Sequence, residues 1–236
     1  MNKILIMLLF FSLDINAAIN SQCPQFTAYG APVYQNQSND QEICHQNYAV
    51  IYRCIVKAPI AVFEHLTKED ISGSAIRHNN FHPDTMVAHN CSASLDDYAT
   101  VGHTMDRGHM SPAGNNTQND SIMSESFNLS NMVAQEKNNN RGIWKQLETI
   151  ERNLTLKPNT DYYIISGGIF DPGYKTTGNG LGMPTRLYKI IIEKNSNTVI
   201  GYLLPNIALP VNAYKQYQVP IVTIEQATGM RFNLGK

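Results

Sequence analysis

Asp106-Arg107-Gly108-His109 places a proton acceptor beside a fixed positive charge, in what reads as a glycine-containing turn supported by Asp106. Further along, Asn140-Arg141-Gly142-Ile143-Trp144-Lys145-Gln146-Leu147-Glu148 offers an amide oxygen and a carboxylate on one prospective helix. Together these groups suit the attack of water on a phosphodiester, which needs a base for the water and charge stabilisation at the phosphate and leaving oxygen. A histidine near its ordinary pKa accepts the water's proton at neutral pH, a task open to His109. Arginine binds phosphate oxygens through a planar fork, a task open to Arg107 and Arg77. A hard divalent ion such as Mg²⁺ takes oxygen ligands and keeps several of its waters, so Asn140 and Glu148 are candidates to hold one.

The element carrying Asn140 is legible in the apolar spacing. Ile143, Leu147, Ile150 and Leu154 recur at intervals of four and three, the pattern of a helix with one buried face, and Pro158 closes it. At about 100° per residue, Asn140 and Glu148 project roughly 80° apart on adjoining faces. The alternative is ordinary: Asn140 caps the helix, and Glu148 pairs with Lys145 or Arg152.

The β-branched and aromatic content of residues 48–56 and 60–66 predicts two strands separated by Pro59. Further strands are expected at 127–133, 162–166, 187–193, 199–204 and 219–224. Residues 72–104 are polar and turn-rich, a length of irregular chain that a compact domain keeps for function. The expected class is α+β with strands in the majority. No internal repeat or linker divides it.

Residues 1–18 read as an exported protein's leader: Lys3 in a short basic opening, an apolar run over 4–13, then Ala17-Ala18, with cleavage after either alanine. The apolar run is too short for a permanent membrane span, and no later stretch is long enough, so the mature chain over residues 19–236 is expected as one soluble domain. Hydrophobic residues make up 42% and charged residues 16%, a globular rather than disordered composition. Net charge is only -1, so a nucleic-acid partner would have to be drawn by a local cluster of Arg and Lys. Cys23, Cys44, Cys54 and Cys91 form an even set with three possible pairings, of which Cys23–Cys44 with Cys54–Cys91 is preferred. A zinc site using Cys44, His45, His78 or His82 is the competing arrangement; of these spacings only His78/His82 suits one.

The segment Asp106-Arg107-Gly108-His109, then Leu129-Ser130-Asn131, Gln135 and Asn140-x-Gly142-x-Trp144-x-x-Leu147-Glu148, resembles the DNA/RNA non-specific endonuclease family. These are the ββα-metal (His-Me finger) nucleases of the secreted bacterial and endonuclease G type. The resemblance extends over most of the mature chain, through Ser74-Ala75-Ile76-Arg77, Ile164-Ile165-Ser166-Gly167-Gly168, Met183-Pro184-Thr185, Tyr188-Lys189 and Leu204-Pro205-Asn206. It implies a central antiparallel sheet with flanking helices. It also implies His109 as general base, Asn140 as the one direct protein ligand of Mg²⁺ (Mn²⁺ substituting), and Glu148 hydrogen-bonded to water around that ion. Asn131 would orient the site from behind, with Asp106 in support, and Arg107 and Arg77 would bind phosphate. The implied substrates are DNA and RNA and the implied product a 5′-phosphate, in the periplasm or outside the cell. Homodimers are common in that family, although no exposed apolar stripe marks an interface here.

Arg186 stands where many members have histidine, a peripheral departure that could touch substrate binding. His78, His82 and His89 read as solvated loop residues, while His103 is a candidate for the substrate groove. Lys137 and Lys145 flank Asn140 and could add local positive charge. Two other classes compete with the enzyme: a nucleic-acid-binding module without catalysis, and the cysteine/histidine metal protein.

Overall fold

The computed structural model describes residues 18–29, 31–196 and 198–234. The leader expected over 1–18 therefore lies outside the described residues, save Ala18. Among the described residues eleven strands run in chain order. The first six are β1 (Gln41–Cys44), β2 (Ala49–Arg53), β3 (Ala58–Leu66), β4 (Met105–His109), β5 (Met132–Glu136) and β6 (Tyr162–Ile169). The others are β7 (Thr176–Thr177), β8 (Leu181–Gly182), β9 (Arg186–Glu193), β10 (Val199–Pro205) and β11 (Gln218–Val219). Six α-helices of the described residues join them: α1 (Ala18–Gln22), α2 (Lys68–Ile71), α3 (Leu95–Ala99), α4 (Asp120–Glu125), α5 (Lys145–Thr155) and α6 (Ile221–Thr228).

Seven strands build one antiparallel sheet in the order β1-β2-β3-β6-β9-β10-β11, and β4 and β5 pair separately. Period-two alternation sends successive side chains of β6 and β9 to opposite faces. Ile164, Leu187 and Ile191 join Trp144 and Leu147 in one core, while Ile165, Tyr188 and Ile190 join Ile19, Phe63 and Ile224 in the other. The sheet is thus covered on both faces, with α5 on the first and α1 and α6 on the second. This is the α+β architecture expected from the sequence.

Several local expectations give way. Pro59 does not separate two strands but lies inside β3, opposite Tyr52 where the register with β2 shifts, a bulge that tolerates its missing donor. Of the strand expected over 127–133, only Met132 and Val133 lie in a strand, as the start of β5; Leu129–Asn131 before them form a 3₁₀ turn. Residues 219–224 mostly enter α6 rather than a strand, started by Pro220 and stopped by Gly229 at φ 69°. The long stretch 72–104 is irregular apart from α3 and is tied down by the Cys54–Cys91 disulfide. Cys23–Cys44 is the second disulfide, so the preferred pairing is the one present and no cysteine is free for a metal. Among the described residues no helix is long and apolar enough to cross a membrane.

Candidate active site

Asp106-Arg107-Gly108-His109 lies not in a turn but along β4, paired antiparallel to β5 from Met105↔Glu136 to His109↔Met132. Gly108 is required for close approach. A Cβ there would lie 2.0 Å from Gln135 Oε1. Gln135, fully buried, donates from Nε2 to Asn139 Oδ1 at 2.9 Å, and Asn139 Nδ2 donates to the carbonyls of Pro205 and Ile207. The hairpin therefore grips the residue just ahead of Asn140. Asn206 ties down the other side, accepting from Glu136 N–H and donating to the carbonyls of Ala134 and Pro184.

The helix bearing Asn140 opens with a π turn, Asn139–Trp144, in which Lys145 N–H reaches the Asn140 carbonyl five residues back. A widened turn advances less than about 100° per residue, which brings Asn140 round towards the face of Glu148. Asn140 is no helix cap: its Nδ2 donates to Asp106 Oδ2 at 3.0 Å. Asp106 also takes a two-pronged ion pair from Arg141, at 2.7 and 2.8 Å, and its carboxyl pKa is lowered despite burial by these bonds. Asp106 thus holds the amide of Asn140 and the guanidinium of Arg141 rather than a turn.

His109 is buried with its ring against the edges of Phe127 at 5.0 Å and Phe81 at 5.6 Å. Its backbone carbonyl accepts from Trp144 Nε1 at 3.1 Å. Nε2 is buried with no hydrogen-bond partner, leaving Nδ1 as the nitrogen available to a water in the cavity. Burial first, then the charges of Arg77 and Arg107, lower the imidazole pKa to about 3. Those two guanidinium groups stack on the same aromatic pair, Arg107 over Phe81 at 4.3 Å and Arg77 over Phe127 at 5.2 Å. Neither phenylalanine was singled out from the sequence.

Arg77, Asp106, Arg107, His109, Asn140 and Glu148 all line one cavity of about 600 Å³. Lys145 and Arg152 line it too, so Lys145 is where its proximity to Asn140 suggested. Asn131 is not in the cavity. Fully buried behind it, Asn131 accepts from Ser111 N–H and donates to the carbonyls of Ser111 and Ser126, clamping the chain just beyond His109. His103, His78, His82 and His89 do not line the cavity, and Arg186 pairs with Asp171 away from it.

A divalent ion fits this donor set. A carboxylate only accepts, so Asp106 selects the amide nitrogen of Asn140 and leaves Oδ1 as a hard neutral ligand. Glu148 forms none of the ion pairs of the described residues, and burial pushes its pKa up to about 7 against the pull of Lys189. A nearby cation would relieve that desolvated carboxylate. Among the described residues no three His, Cys, Asp or Glu side chains converge on one point, so the ion would rest mainly on the amide and on water.

Behind the cavity lies a buried polar network that the sequence reading missed. Lys189 Nζ donates to Glu151 at 2.7 Å and sits over the Trp144 ring at 5.0 Å. Asn115 donates to both Glu151 and Glu64, and Ser111 Oγ donates to Glu64 at 2.8 Å. One visible signal was a lysine within the apolar run of β9.

Two antiparallel strands followed by a helix, with His109 on the first strand and the Asn140 amide at the helix start, define a ββα unit of the metal-nuclease class. The sequence model of the DNA/RNA non-specific endonuclease family matches residues 26–236, and the chain belongs to that family. It is 33% identical over 210 residues to human mitochondrial nuclease EXOG, covering 80% of this chain and 56% of that protein. Nuclease C1 of Cunninghamella echinulata is 31% identical over 205 residues, 79% of this chain and 80% of that one. The chain thus spans little more than half the length of EXOG. The solved structure of the EndoG/EndoGI complex superposes with a TM-score of 0.79 at 28% identity, over 90% of this chain and 91% of the other.

Proposed function

We propose that this protein is a divalent-metal-dependent endonuclease that hydrolyses phosphodiester bonds of DNA and RNA, leaving 5′-phosphate ends. The observation that carries the reading is the amide of Asn140, locked by Asp106 and lining one cavity with His109, Arg107 and Glu148. Arg77 and Arg107 bind and orient the scissile phosphate. His109 takes the attacking water's proton at Nδ1, and the new P–O bond forms as the bond to the leaving 3′ oxygen breaks. Asn140, with Glu148 beside it, would hold a Mg²⁺ or Mn²⁺ ion, whose chemistry there would be to stabilise negative charge as it develops. Side chains that address phosphate and sugar alone carry little sequence preference, which suits cleavage of both DNA and RNA.

Six cations line this cavity and the smaller one beside it: Arg77, Arg107, Lys137, Arg141, Lys145 and Arg152. Their acidic neighbours there are Asp106 and Glu148. That local excess supports a polyanionic substrate although the net charge is only -1. Export belongs to the same proposal, supported by two disulfides that suit an oxidising compartment. Plasmid and RNA digestion with Mg²⁺, with EDTA and with His109→Ala provides the test. Binding without cleavage in any divalent ion would make the chain a nucleic-acid-binding module instead.

A further inference from the structure

Beside the candidate active site is a second cavity of about 210 Å³, lined by Tyr98, Gly102, Met105, Lys137 and the shared residues Asp106, Arg107 and Arg141. We propose that it is a second phosphate subsite, which holds the backbone phosphate next to the scissile one. The proposal rests on the nuclease reading and adds to it a site for a second charge of the same strand.

The lining chemistry is that of an anion site. Its one carboxylate, Asp106, is already engaged by Arg141 and by the amide of Asn140. Arg141 binds Asp106 through Nε and Nη2, so the guanidinium is fixed in place while Nη1 takes no part in the pair. Arg107 lines both cavities, and its Nε is buried without a hydrogen-bond partner. Its face is covered by Phe81 at 4.3 Å, so its N–H edge is what remains for anions. Lys137 has no ion pair among the described residues. Its backbone N–H, bonded to the Thr104 carbonyl at 3.1 Å, anchors it where β5 ends.

A polynucleotide carries one phosphate per nucleotide, so a substrate seated on Arg107 in the first cavity has another charge to place nearby. A contiguous cationic cavity sharing that arginine is positioned to take it. A dinucleoside monophosphate, with a single phosphate, cannot fill both.

The test compares kcat/KM for a trinucleotide with two internal phosphodiesters and for a dinucleoside monophosphate, in Mg²⁺. The wild type should prefer the trinucleotide. Lys137→Ala should lower that preference about tenfold, the size expected for loss of a charge-assisted contact, and Lys137→Glu should lower it further. Anisotropy of a labelled single-stranded oligonucleotide in EDTA gives a second readout: Lys137→Ala should reduce the slope of log affinity against log salt by about 0.7. Unchanged preference and slope, or equal losses on both substrates with an unchanged slope, would overturn the subsite. A wild-type protein that binds but cleaves neither these substrates nor plasmid DNA and RNA overturns the nuclease reading, and the salt slope alone then decides the subsite.

Discussion

His109 is a base whose strength depends on what shares its cavity. Burial, with the charges of Arg77 and Arg107, lowers its pKa to about 3, so in the free protein it stays neutral through the whole working range. A phosphate bound between the two arginines offsets two of those three causes. Proton affinity therefore rises when substrate is present. NMR titration should find the His109 imidazole near 3 in the free protein and higher with a non-cleavable dinucleotide bound; an unshifted value in the complex would contradict the coupling. His109→Ala should lower kcat by about 10²–10⁴ while thermal unfolding stays cooperative. Glu148 sets the opposite limit. Its pKa, raised to about 7 by burial, means that the cation-attracting carboxylate form dominates above pH 7 and is lost below it. Mg²⁺ or Mn²⁺ affinity, measured by calorimetry, should fall by up to tenfold per pH unit below 7. Glu148→Gln should flatten that dependence.

At the scale of elements, the hairpin and the π turn are one device. Gly108 lets Gln135 pass beneath β4 to hold Asn139, and Asp106 on the same strand holds Asn140. Gly108→Ala should push Gln135 out, costing about 1–3 kcal/mol in urea unfolding. Metal affinity should fall with it, although no ligand has been touched. Unaltered affinity in a destabilised variant would mean that Asn140 is held without the hairpin. This device also shows how far the sequence could be read. Asp106, Arg107, His109, Asn140 and Glu148 were recognisable by type and spacing and Arg77 through the family resemblance, whereas Phe81, which lines the same cavity, was not. The sheet and its helix were recognisable as well. The strand at 105–109 was hidden because Asp106, Arg107 and Gly108 imitate a turn composition. The π turn was hidden because a widened turn leaves the apolar spacing beyond it, Leu147 to Leu154, unchanged. Phe81 and Phe127 lie in segments without periodicity, so nothing local announced that they would meet His109.

At the scale of the whole molecule, the face of the sheet behind the cavity carries charge where an apolar core would be expected. Glu64 on β3, Lys189 on β9 and Glu151 on α5 meet in the buried layer between sheet and helix, two carboxylates for one lysine. Burial, and then the charge of Glu151, push Glu64 up to about 8 from an ordinary 4.5. Its folded pKa exceeds its unfolded one, so its contribution to stability is full below pH 4.5 and is lost as pH rises through 8. Glu148 adds a weaker trend of the same sign, and His109, whose pKa is depressed, a trend of the opposite sign below its ordinary 6.5. The Glu64 part must therefore be isolated by difference. The fall in melting temperature between pH 5 and pH 8, measured without metal, should be steeper in the wild type than in Glu64→Gln. Absolute stability is no guide here, because the glutamine amide inherits the unpartnered Oε2 position. Parallel pH profiles for the two proteins would show that Glu64 keeps its charge when buried. The network would then be an ionised triad rather than a lysine–carboxylate pair beside a neutral acid.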